Sequence, residues 1–152
     1  MRYLILFILF TSTTVRTFSQ SDNPNYNDSL AKLYNADDYG MKNYFFVLLS
    51  TGDNKTTTPE FLDSCFRSHM NNINLLVDEK KLIVAGPFGK NDAQMRGLFI
   101  INAENEEEVL ELLKNDAAVE EGILKAQIVP WYGSAALPAY LEVSDQVWKK
   151  AP

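Results

Sequence analysis

The chain has 152 residues, 46% hydrophobic and 12% aromatic, which supports one domain with a real core and excludes disorder as its main state. Its 14 basic residues against 20 acidic, net −6 and without a basic cluster, exclude the electrostatic footprint of a nucleic-acid binder. One cysteine, Cys65, and one histidine, His69, exclude an internal disulfide, a Cys-rich zinc site and a His-rich metal site. No motif calls for a metal or other cofactor, and none is expected.

Residues 1–19 read as a secretory leader. Arg2 supplies the positive start, and Tyr3 to Phe10 is an unbroken apolar run of eight, far short of the about 20 residues that span a bilayer. Thr17 and Ser19 stand at the −3 and −1 positions of a cut before Gln20, with Arg16 unusually close to it. Cutting there removes Arg2 and Arg16 and leaves 12 basic against 20 acidic residues, net −8. The expectation is an acidic, exported protein, periplasmic or secreted, with no membrane attachment after cleavage. Residues 20–40 are a polar extension in which Asp28 to Asn35 can form a short helix.

The domain proper is expected over residues 41–133. Asn43 to Ser50 (NYFFVLLS) is apolar almost throughout, as in a strand buried on both faces. Thr58 as N-cap and Pro59 at the first helical position start a helix that runs to about Glu79. Its apolar stripe is Leu62, Cys65 or Phe66, His69, Ile73 and Leu76, and its outer side carries Asp63, Ser64, Arg67, Asn71 and Asn72. Lys80 and Lys81 suit its C-terminal end. Leu82 to Phe88 is a second strand, placed at a sheet edge or a bulge by Pro87, and Gly97 to Ala103 is a third. Asn105 caps a helix that opens on Glu106, Glu107 and Glu108 and ends near Asp116. Asp116 caps a further turn over residues 117–121 that Gly122 stops, and Ile123 to Trp131 is the fourth strand.

The order β-α-β-β-α-β with right-handed crossovers predicts an α+β, ferredoxin-like fold: one antiparallel sheet with both helices on one face. Two helices cannot cover strands that are apolar on both sides. The open face therefore needs a partner, and a second copy of the sheet gives a homodimeric α/β barrel. The alternative cover is the tail, residues 134–152, with Leu137, Tyr140, Leu141 and Trp148.

The stretch from Met41 to Trp131 resembles the YCII-related (YciI-like) family: YFFVLL, SHMNNINLL, LIVAGPF, GLFII, NDAAVEEGI and IVPWYG follow in order. The flanks ADDYGMKNY and WYGSAALPAY are similar to an exported branch of it. The resemblance implies a ferredoxin-like dimeric α/β barrel, with a His–Asp pair as the proposed active site and no assigned reaction in most members. One relative is a dehydrochlorinase of chlorinated-aromatic breakdown, and muconolactone isomerases share the barrel. The family histidine falls on His69 and the aspartate on Asp116. The usual Asp-Pro-Tyr reads Asp116-Ala117-Ala118 here, which removes an aromatic pocket wall.

His69 and Asp116 are thus the candidate catalytic residues. Burial lowers a histidine's pKa and a nearby carboxylate raises it, so such a pair can poise a base near neutrality and fix the ring tautomer. The plainer readings are a core histidine bonded to a carbonyl and an aspartate that only caps a helix. Cys65, one turn before His69, is better placed for burial than for nucleophilic attack or metal binding, and nothing favours haem on His69. Arg96 is read as a solvated loop residue, and Tyr39, Trp131 and Tyr132 as packing rather than a pocket. Two functions follow: a lyase or isomerase moving a proton on a small organic molecule, or a non-catalytic homodimer that binds a ligand or is purely structural.

Overall fold

The computed structural model describes residues 23–56 and 58–150. The expected leader and its cut lie outside them. In chain order the elements are α1 (Asp28–Leu33), β1 (Met41–Thr51), α2 (Pro59–Asp78), β2 (Leu82–Pro87), β3 (Met95–Ile101), α3 (Glu106–Lys114), α4 (Ala117–Glu120) and β4 (Leu124–Ser134). A 3-10 turn, Leu137–Tyr140, and the short α5, Leu141–Ser144, follow. The protein is a mixed α/β fold with one four-stranded antiparallel sheet in the order β2-β3-β1-β4. Pro87 sits on an edge strand, where its missing N–H leaves no gap in the ladder. β1 and β3 run longer at their starts than their apolar runs indicate, because Met41, Lys42 and Met95 pair through their backbones with β4 and β1 whatever their side chains.

The side-chain period of two divides the central strands. Val47, Leu49, Phe99 and Ile101 are buried toward the helices, where Cys65 and Leu76 of α2, Val109 and Leu113 of α3 and Ala118 of α4 meet them. On the other face lie Phe46 and Leu48, opposite Ile100 and Leu98, with Val84 and Val129 flanking. All six are apolar, yet the first five are only partly buried and Val129 is 42% exposed. The face is closed at one end. There Tyr44 is fully buried, its hydroxyl donates to the Ser134 carbonyl at 3.0 Å, and Trp131 lies tilted against its ring. The tail reaches that end too, where Pro138 and Leu141 face Lys42 and Asn102 across a cavity, while Val143, Val147 and Trp148 stay more than half exposed.

The ends of α2 and α4 explain how the helices are set. α2 does end near Glu79, but Lys80 and Lys81 fall beyond it rather than in its last turn. The Lys81 N–H donates to Leu76 O and the Lys80 N–H to Val77 O, the paired bonds of a Schellman ending, and this puts Lys80 at φ +57°. A side chain resists that left-handed backbone, which costs about 1 kcal/mol. Lys80→Gly should therefore raise stability by about that amount in urea unfolding, whereas a loss would show that the lysine makes a contact of its own. Lys81 instead pairs with Glu108 of α3. At the other site Gly122 takes φ +70° and ends α4, and Gly52 comes so close to it that a Cβ would meet Gly122 O at 2.0 Å. The Gly52 N–H donates to Ile123 O at 2.8 Å, so the end of α4 is tied to the end of β1.

The Lys81 ammonium, then the Glu104 amide, hold Glu108 below the ordinary glutamate range. A carboxylate whose folded pKa is depressed adds stability above its unfolded pKa and loses it as pH falls through the folded one. Stability should thus decline from about pH 4.5 downward. Glu108→Gln should flatten that part of a stability-against-pH curve, and an unchanged curve would contradict the assignment.

Candidate functional site

α2 and the α3–α4 junction bring the two sequence candidates together. His69 lies on the face of α2 toward the sheet, its ring stacked on Phe99 with centroids 5.8 Å apart and met edge-on by Phe66 at 6.2 Å. Asp116 stands between α3 and α4 and is fully buried. Its Oδ2 lies 2.6 Å from His69 Nδ1. Its Oδ1 accepts from the Ala118 N–H at 3.0 Å and the Val119 N–H at 3.4 Å, so capping and pairing use different oxygens.

Which partner donates in this contact depends on the tautomer of the ring. An ionised carboxylate only accepts hydrogen bonds, so opposite one the donor is the Nδ1–H, and a neutral ring then keeps its lone pair on Nε2. Nε2 makes no hydrogen bond to any described residue, and the ring keeps 13% of its surface open. Oriented this way, the imidazole can accept a proton at Nε2, with the resulting charge balanced by the carboxylate at its back.

The neighbours sort the other candidates. Cys65 is buried, and burial, with the Glu121 and Asp116 charges, pushes its thiol up, away from the thiolate a nucleophile needs. No group of three His, Cys, Asp or Glu side chains able to hold a metal ion occurs among the described residues. Arg96 and Tyr39 are exposed, and Trp131 packs on Tyr44. Tyr132 donates its hydroxyl to Asp37, whose other oxygen takes the Tyr39 and Met41 amides. That bond lowers the Asp37 pKa and raises the Tyr132 pKa, and it straps the polar extension to β4. None of these residues joins His69.

Two side chains near the pair were not among the candidates. Asn72, assigned by its polarity to the outer side of α2, is buried instead, and its Nδ2 donates to Leu112 O at 3.2 Å. The spacing of Cys65, His69, Asn72 and Leu76 by three and four carries that position inward. Ser68 touches both sides of Asp116: its Oγ donates to Asn115 O and accepts from the Ala117 N–H, each at 3.4 Å. Two cavities lie elsewhere and include neither His69 nor Asp116. One of about 560 Å³ runs between α3, α4 and β4, and one of about 500 Å³ lies between α1, the end of α2 and the tail.

No described helix is long and apolar enough to cross a membrane. No curated protein matches the chain. Among solved structures the chain is similar to the 5-chloro-2-hydroxyhydroquinone dehydrochlorinase of Burkholderia phenoliruptrix AC1100 in complex with 2,5-dihydroxybenzoquinone. That match has 20% identity, covers 57% of this chain and 90% of that chain, and has a TM-score of 0.37. The YCII-related domain family matches residues 44–132, a span that holds the whole sheet core, His69 and Asp116 and more than half of the chain, and the chain belongs to that family.

Proposed function

We propose that the protein binds a small organic molecule and moves a proton on it, as a lyase or isomerase, with His69 as the base and Asp116 as the residue that orients it. The observation that carries this reading is the 2.6 Å contact between His69 Nδ1 and a fully buried carboxylate whose second oxygen is already committed to two amides. A histidine kept only for packing does not need an anion at its back. The pair sets the tautomer, and Nε2 does the chemistry.

The reading includes a second copy of the chain. Phe46, Leu48, Val84, Leu98 and Ile100 form an apolar sheet face that stays only partly buried. Packing two such faces together closes a ferredoxin-like α/β barrel around them. The reading also keeps the leader, with cleavage at Ser19-Gln20 and a site of action outside the cytoplasm. Intact-mass measurement on protein from its native host tests this: loss of residues 1–19 supports export, and their retention opposes it.

A ligand-binding or structural dimer without catalysis is the second reading. The observation in its favour is that both cavities described above lie away from His69. A thermal-shift screen of small cyclic and aromatic acids, followed by incubation of each hit in heavy water, separates the two. Proton transfer should place deuterium on a ligand carbon, and His69→Gln should slow that exchange by about 100-fold or more. Hits that bind but exchange no faster with wild type than with His69→Gln would leave the binding module.

A further inference from the structure

We infer that Ser68 and Asn72 are positioning residues that hold the Asp116 turn in register with His69. The inference rests on the reading of His69 and Asp116 as a working pair and adds what keeps that pair assembled. Asp116 lies where α3 has ended and α4 has not begun, so the backbone around it lacks a continuous helical ladder of its own. One of the α3 end carbonyls, Leu113 O, is met locally by the Asp116 N–H at 3.1 Å. On the α4 side, Asp116 O accepts from the Val119 and Glu120 N–H groups at 3.0 and 2.9 Å, and further support comes from α2. Asn72 Nδ2 takes Leu112 O at 3.2 Å, and Ser68 Oγ takes Asn115 O and the Ala117 N–H on either side of Asp116. A hydroxyl has one proton to give and lone pairs to accept with, so Ser68 can make both contacts at once.

Ser68 and His69 reach this turn and Asn72 reaches the last turn of α3 that leads into it, all three from residues 68–72 of α2. Ser68 and Asn72 are four apart and stand one above the other, with His69 beside them. The turn is therefore held against the same helix segment that carries its functional partner. A working hydrogen-bonded pair tolerates misplacement of only about 0.5 Å, and a two-helix junction without such ties has no reason to hold that tolerance.

Asn72 shows that the arrangement is not chosen for stability alone. Its Oδ1 is sealed and without a partner, the one such buried side-chain atom among the described residues. Leucine has nearly the same shape and would bury there without an orphaned oxygen. It would, however, release Leu112 O. The asparagine retains an unfavourable atom and keeps a directed bond to the end of α3.

The test reads the His69 Nδ1–H proton directly, by NMR on ¹⁵N-labelled protein with the ring neutral. This is unambiguous because the chain has one histidine. Ser68→Ala and Asn72→Leu should remain folded, yet exchange the Nδ1–H with solvent faster by about fivefold or more, the scale set by losing one net hydrogen bond. Ser68→Thr, which keeps the hydroxyl, should restore the wild-type rate. Ser68 is small and partly exposed, so Ser68→Ala decides the matter even where Asn72→Leu fails to fold. Unchanged exchange in folded Ser68→Ala, or faster exchange that Ser68→Thr does not restore, overturns the inference and leaves the pair intact. Absence of the Nδ1–H in wild type overturns the pair and this inference together.

Discussion

Asp116→Ala is expected to lower folding stability by about 3 kcal/mol, the sum of a lost helix cap and a lost charge-assisted hydrogen bond in a sealed site. The carboxylate is fully buried, so no water replaces it: two amides at the start of α4 and the Nδ1–H of His69 all lose their acceptor. Asp116→Asn keeps an oxygen for the amides and should lose only about half as much. Urea unfolding of the three proteins measures both steps. A change within about 0.5 kcal/mol for Asp116→Ala, the usual size at an uninvolved surface position, would contradict the geometry described here.

Phe46→Glu is expected to weaken the proposed self-association by about 100-fold or more while leaving the monomer folded. Phe46 lies opposite Ile100 and Val129 in the middle of the open sheet face. In a face-to-face dimer it would be near the centre of the interface, where a few apolar anchors carry most of the affinity and a buried unpaired charge is strongly unfavourable. In the monomer the same position is already partly open to water, so the glutamate can be solvated there. Sedimentation across the micromolar range distinguishes the outcomes. A wild type that is monomeric throughout, or a Phe46→Glu variant that associates as tightly as wild type, would remove the sheet face as the contact.

The elements of the fold were legible because their signals are local. Asn105 accepts from the Glu108 N–H at 2.9 Å, Asp116 caps α4 and Gly122 takes the left-handed turn, as the residue types at those positions indicate. The apolar runs mark the strands along the chain, and Cys65 is buried as its place on the stripe implies. The double-sided apolarity of β1 and β3 is real, since alternate residues are buried toward the helices and partly buried on the opposite face.

What was not legible depends on contacts between distant segments. His69 and Asp116 are 47 residues apart, and no spacing rule joins them; their pairing came from resemblance and their contact from the fold. Polarity alone points Asn72 outward, yet a polar side chain can face inward where another helix offers a carbonyl. The charge of Lys80 suits a helix end, but a Schellman ending is set by backbone bonds that place this residue beyond the helix. Ser68 carried no signal, because its role exists only once Asn115 and Ala117 are beside it.

The central claim is that Asp116 sets which nitrogen of His69 carries the proton, and the ¹H–¹⁵N spectrum of the neutral imidazole tests it most directly. In wild type the proton should be on Nδ1, facing Asp116 Oδ2, with Nε2 bare. In Asp116→Asn the side-chain oxygen is needed by the Ala118 and Val119 amides, so the NH₂ group must turn toward the ring, and the ring answers as an acceptor. The proton should then move to Nε2 and the base should be lost. A proton on Nε2 in wild type, or the same tautomer in both folded proteins, would contradict the account.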